Sequence, residues 1–143
     1  MRRAIELAYA AREKGNHPFG ALLVVDGRVL LTAENSVNSK GDITAHAELN
    51  LVSKAARQYT PAILSQVTLY TSTEPCAMCA GAIYWAGIPA VVYGCGVERF
   101  AELAGGSLMI PCRHIFGFGG RPVMVVGPVL EEEAAAVHVG FWG

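Results

Sequence analysis

The chain is short of charge. Of its 143 residues only 16% are Asp, Glu, Lys or Arg, against 52% apolar, and the net charge is −1. Its eleven Lys and Arg residues form no run beyond Arg2-Arg3 and the Arg12-Glu13-Lys14 stretch. Proteins that grip a nucleic-acid backbone carry a basic patch. The sequence therefore weighs against a polynucleotide partner. Long apolar runs are also missing. None reaches the roughly 18–20 residues that a membrane-spanning helix needs, so the excess apolar surface is expected in a subunit interface and not in a bilayer. Residues Met1–Glu6 carry charge without a long apolar segment, so no signal peptide is expected. Cysteine is limited to four residues. Without secretory context this points to a reducing, cytoplasmic location. No internal repeat or linker interrupts the chain, and its length suits one domain spanning residues 1–143.

What is present is a split cluster: His46-Ala47-Glu48, and further along Pro75-Cys76-Ala77-Met78-Cys79. A CxxC alone is as readily a redox pair or two buried thiols. Joined to an HxE it offers one imidazole, two thiolates and a carboxylate. Three ligands without a fourth is the pattern of a catalytic zinc site with an open position. A water in that position is acidified by the metal toward neutrality. Zn2+ is the expected cofactor, held by His46, Cys76 and Cys79, with Glu48 as the catalytic proton carrier for that water. A non-enzymatic zinc or redox module is the competing class, and Glu48 argues against it, because a structural site has no use for the carboxylate.

Helical spacing of Ile5, Ala8, Tyr9 and Arg12 predicts a helix over 2–14, ended by Gly15-Asn16. Phe19 to Val25 and Arg28–Ala33 flank Asp26-Gly27, a hairpin signal. Residues 35–42 read as a loop. A helix capped by Thr44 or Asp42 runs to about Gln58, and Pro61 closes that region. Strand 3 is expected at 66–71, and a helix opened by Pro75 runs through Trp85-Ala86. Strand 4 is expected at 89–93, a short helix at 97–104, a strand at 123–126 and a terminal helix from Glu131 to about Val139. Residues 105–120 are glycine-rich with little periodicity. The order is that of an α/β fold with a mixed sheet between helices.

Cys76 and Cys79 share one face at a helix start, where the helix dipole favours thiolates. His46 and Glu48 open the other helix, and their apolar neighbours favour a buried functional carboxylate. His17 either lines a pocket or belongs to a loop. Asn35 either addresses a ring edge or makes a turn. Phe19, Phe141 and Trp142 stack on a flat substrate or belong to the core. Glu74 is expected to tie its carboxylate to nearby backbone. His114 and His138 read as incidental.

At these residues the sequence resembles the cytidine deaminase-like superfamily of zinc deaminases, whose signature is H-x-E…P-C-x-x-C. Pro18-Phe19-Gly20-Ala21, Asn35, Thr44-Ala45-His46-Ala47-Glu48 and the run Leu69 to Cys76 are similar to the guanine deaminase and tRNA-adenosine deaminase branch. Gly81-Ala82-Ile83-Tyr84-Trp85-Ala86 leans toward guanine deaminases. The resemblance covers roughly residues 2–104. It implies a three-layer α/β/α fold with a five-stranded mixed sheet of order 2-1-3-4-5, and a homodimer. It implies deamination of an amino-substituted base, with Asn35, Phe19, Ala47, Trp85, Phe141 and Trp142 binding the substrate and the last two closing the pocket. The expected partners are a small nucleobase and the catalytic water. The substrate is expected to be guanine or a related free base such as isocytosine or cytosine, with adenosine in tRNA as the alternative. The run Ala104-Gly105-Gly106-Ser107 lacks the acidic residues usual in guanine deaminases, which keeps the smaller bases open. The tail lacks the basic character of a tRNA enzyme.

Overall fold

The computed structural model covers residues 1–143. Along the chain the elements are α1 (Arg2–Glu13), β1 (Gly20–Val25), β2 (Arg28–Glu34), α2 (Val37–Lys40), α3 (Ala47–Gln58), α4 (Pro61–Leu64) and β3 (Thr68–Thr73). They continue as α5 (Ala77–Trp85), β4 (Ala90–Cys95), α6 (Val97–Ala104), α7 (Cys112–Gly117), β5 (Met124–Val126) and α8 (Glu131–Ala136). The strands form one sheet of order β2-β1-β3-β4-β5. Asp26 and Gly27 both take positive φ and turn β1 back antiparallel onto β2. The other edge of β1 pairs antiparallel with β3. The β3–β4 and β4–β5 pairs are parallel, so their connections cross over through helices. The mixed sheet is the one the sequence pattern predicts, and its order is the one the family resemblance implied.

Alternation along the strands sets the layers. Ala21 and Leu23 of β1 join Leu69 and Val91 against Leu51 of α3 and Ile83 of α5. Leu22 points the other way, onto Ala4 and Leu7 of α1. On that second face α8 places Ala134 and Ala135 against Ile5 and Cys95. Both faces are covered, so β1 and β4 read as near-continuous apolar runs, while β3 ends in the hydroxyl residues Thr71, Ser72 and Thr73. Gly20 permits the closest approach. A Cβ there would lie 2.4 Å from Leu7 Cβ and 2.5 Å from the Ala4 carbonyl oxygen. Helix α1 therefore rests directly on the start of β1 and fixes Phe19 beside it.

Several boundaries differ from expectation. Helix α3 starts at Ala47 with His46 as N-cap. The Asp42 carboxylate instead accepts from the Thr44 amide and hydroxyl at 2.8 and 2.6 Å, an Asx turn that uses up the anticipated cap. Pro61 opens the short helix α4 behind the capping Thr60, and does not end the region. Pro75 precedes α5, whose N-cap is Cys76. The glycine-rich stretch contains α7, and the expected loop at 35–42 contains α2.

Candidate active site

Two helix N-termini meet at the metal cluster. His46 caps α3 and Cys76 caps α5, while Cys79 lies one turn into α5. His46 Nδ1 is 3.5 Å from Cys76 Sγ and 3.6 Å from Cys79 Sγ. All three ligand atoms lie within 4.8 Å of one another. Zn–S and Zn–N bonds of about 2.3 and 2.05 Å at a tetrahedral angle put sulfur and nitrogen about 3.6 Å apart. The cluster has the dimensions of three corners of a zinc tetrahedron. Both caps use extended backbone, which turns each side chain past the helix end toward the other. Hydrogen bonding from Cys79 draws the Cys76 thiol down to about 4, with His46 adding to it, while that same pairing and burial push Cys79 up. Hydrogen bonding with Cys76 raises His46. A divalent cation would displace the Cys79 proton and take both sulfurs as thiolates.

Glu48, in the first turn of α3, is 4% exposed. Thr71 of β3 donates to its Oε1 at 2.6 Å and also lies 3.0 Å from the Thr73 carbonyl oxygen. Burial pushes the Glu48 carboxyl up, against the Thr71 hydrogen bond that lowers it. A buried carboxyl with a raised pKa beside a metal cluster suits proton transfer near neutrality.

The cluster opens into a cavity of about 230 Å³ whose walls include His46, Glu48, Cys76, Thr73, Phe19 and Trp142. Cys79 is fully buried behind it. The opposite wall is Phe100 of α6 with Ser107, Leu108, Met109 and Ile110, from the stretch the sequence left without a role. His17 also lines the cavity, its ring 5.2 Å from that of Trp142. Burial lowers the His17 pKa. Glu74 holds the walls in place: its carboxylate accepts from the Val97 amide at 2.8 Å and the Cys112 amide at 2.9 Å, joining the starts of α6 and α7. The expected backbone role for Glu74 matches this arrangement.

The expected substrate contacts divide. Phe19 and Trp142 are on the cavity wall. Phe141 stands behind them, its ring 4.9 Å from Trp142 and 6.0 Å from His17. Asn35 is 1% exposed, and its Oδ1 accepts from the Val37 amide. Its Nδ2 is the one buried side-chain polar atom without a hydrogen-bond partner. Ala47 is fully buried and joins the core. Trp85 is not brought to the site. It closes the far end of α5 and is 84% exposed, because a nine-residue helix carries its last residue about 12 Å from its first.

The sequence missed His138. It is 1% exposed. Its Nε2 is 2.9 Å from Thr73 Oγ1, and its Nδ1 accepts from Trp142 Nε1 at 3.2 Å. Its ring meets Phe19 at a tilt and Phe100 edge-on, with centroids 5.2 and 4.9 Å away. The only sequence signal was its spacing of four from Trp142. Burial pushes the His138 pKa down to about 4, with Arg12 adding to it. An unfolded histidine titrates near 6.5, so the unfolded chain binds the extra proton between pH 6.5 and 4. The stability from keeping His138 neutral is complete above that window and is lost as pH falls through it, about 2 kcal/mol of it by pH 5. Urea unfolding at pH 7.5 and pH 5 is expected to show this loss, and His138→Met should reduce the difference between the two midpoints. An equal difference in both proteins would assign the pH dependence elsewhere.

Fold and site together define a zinc-dependent hydrolytic deaminase: a three-ligand metal cluster and a buried carboxylate open on a small aromatic-walled cavity. Residues 1–95 match the family model described as the cytidine and deoxycytidylate deaminase zinc-binding region, and the chain belongs to that family. It is 42% identical to the protein named "Probable cytosine deaminase" of Schizosaccharomyces pombe, over 99% of this chain and 90% of that one. It is 44% identical to the guanine deaminase of Bacillus subtilis, over 71% of this chain and 66% of that one. Among solved structures, one from a study of A-to-I editing by tRNA:A34 deaminases superposes with a TM-score of 0.76 at 31% identity, covering 96% of each chain. These relatives share the deaminase chemistry and differ in substrate.

Proposed function

We propose that the chain deaminates a small free nucleobase, with cytosine favoured over guanine. The size of the cavity carries this reading. Ligand pockets for drug-sized molecules run to roughly 300–1,000 Å³, whereas this one holds about 230 Å³. That suits one flat heterocycle seated against the metal cluster. Phe19, Phe100 and Trp142 supply the aromatic walls. The wall at Ser107–Ile110 offers no carboxylate to the extra ring nitrogens of a purine. The near full-length similarity to a protein named for cytosine adds support. Asn35 Nδ2, a buried donor without a protein partner, would be satisfied by an acceptor at the substrate's edge.

His46, Cys76 and Cys79 would hold the zinc, which would supply Lewis acidity and lower the pKa of a water toward neutrality. Glu48 takes the proton of the water at its carboxylate and delivers it to the ring nitrogen next to the amine-bearing carbon. It then carries the second proton to the departing amine. One water is consumed, the C–N bond is replaced by C=O, and ammonia leaves without any redox change. Thr71 holds Glu48 in place throughout. Ammonia release from cytosine, guanine, their nucleosides and an anticodon stem-loop tests the reading. Turnover of a free base with little of its nucleoside supports it. Turnover of the stem-loop alone would replace it with RNA modification.

Homodimerisation belongs to the same proposal. Trp85 of α5 and Phe118 at the end of α7 are 84% and 94% exposed, and Met124 of the edge strand β5 is 65% exposed. Such apolar exposure supports a covered face. Sedimentation equilibrium should give a dimer, and Trp85→Glu should shift it toward monomer. A wild-type monomer at micromolar concentration would contradict this.

A further inference from the structure

Thr73 sits where the metal loop meets the C-terminal tail. It ends β3, two residues before Pro75, and lines the cavity at 3% exposure. Its hydroxyl has one protein partner, His138 Nε2 at 2.9 Å. The direction of that bond follows from the next one along. An indole N–H only donates, so His138 Nδ1, which receives it from Trp142, carries no proton. The proton of the neutral ring is then on Nε2, and Nε2 donates to Thr73 Oγ1. One lone pair of the hydroxyl oxygen accepts from His138, so its own proton is turned away from the ring and has no acceptor in the protein. Glu74, the other polar side chain beside it on the wall, has given its carboxylate oxygens to two backbone amides.

We propose that Thr73 is a specificity-determining residue whose hydroxyl proton, directed by the Trp142–His138 relay, recognises a carbonyl oxygen on the bound base. The proposal rests on the free-base reading above. Thr73 would touch the substrate, while His138 and Trp142 are positioning residues acting through it. A hydroxyl free to turn either way accepts or donates. With Nε2–H donating to its oxygen, this one cannot donate to His138 and presents its proton to the cavity, where an acceptor is the partner that uses it. An amino-heterocycle bearing a ring carbonyl, as cytosine and guanine do, is favoured over the same ring without it.

Two pairs of bases test this: cytosine against 4-aminopyrimidine, and guanine against 2-aminopurine, each differing by the carbonyl and its lactam N–H, so that the Thr73 variants isolate the carbonyl's share. Binding is measured by calorimetry on the zinc-loaded Glu48→Gln protein, which holds bases without turning them over. The carbonyl base is expected to bind about tenfold tighter, the effect of one hydrogen bond of ordinary strength. Adding Thr73→Val should bring the ratio close to one by weakening only the carbonyl base, and Thr73→Ser should restore it. His138→Leu should lower the ratio, and His138→Gln, which keeps a donor toward Thr73, should recover part of it. If Thr73→Val weakens both members equally, or neither, the proposal is overturned while the free-base reading stands. If no base of either pair binds the zinc-loaded protein, the free-base reading falls and takes this assignment with it.

Discussion

Replacing Glu48 with Gln should lower kcat by about 10³-fold or more, within the range that general acid–base catalysis contributes, while zinc content stays at one per chain. Glutamine keeps the shape of the side chain and an Oε1 able to accept from Thr71. What it loses is the capacity to take a proton and return it. Burial pushes the carboxyl up, so Gln removes a group whose charged form the site disfavours, and folding stability should be unchanged or slightly higher. Reduced turnover together with retained metal and fold would separate a chemical role from a structural one. Turnover close to wild type would mean that the proton travels by another group, and His17, also on the cavity wall, would be a candidate.

Removing the metal should have the second large effect, and on two observables at once. The cluster ties the N-terminus of α3 to that of α5, since His46 and Cys76 are the two caps and Cys79 is the buried third corner. At a free zinc concentration 100 times Kd, binding adds about 2.7 kcal/mol to stability. At 2–4 °C per kcal/mol for a chain of this size, chelation should lower Tm by about 5–10 °C. Activity should fall to background, and added zinc should restore both. Cys79→Ala should behave like the chelated protein and not respond to zinc. Full turnover by the chelated protein would remove the metal from the chemistry.

The chemistry was more legible in the sequence than the pocket. His46, Glu48, Cys76 and Cys79 are brought together as expected because all four sit at or within one turn of a helix start, where local geometry decides where side chains point. The mixed sheet was likewise readable, from apolar runs and a single hairpin signal at Asp26-Gly27, while its strand order came from the family resemblance. The distant wall was not. Ser107 to Ile110 has no periodicity, and what places it is α7, whose first amide is held by Glu74 from across the molecule. Trp85 failed as a substrate contact for a related reason: neighbouring positions on one helix look alike in sequence, yet nine residues carry the chain from the metal to the far surface. His138 looked incidental because its partner Thr73 lies 65 residues back along the chain, and the local one, Trp142, four residues on, means nothing until Thr73 is in place. Long-range hydrogen bonds of that kind leave no local pattern to read.

The most direct measurement is product formation from cytosine by the zinc-loaded protein, following base and ammonia together. The predicted result is one ammonia released for each cytosine converted to its carbonyl product, abolished by Glu48→Gln and by chelation. Stoichiometrically zinc-loaded, folded protein that releases no ammonia from cytosine, guanine or isocytosine would contradict a free-base deaminase.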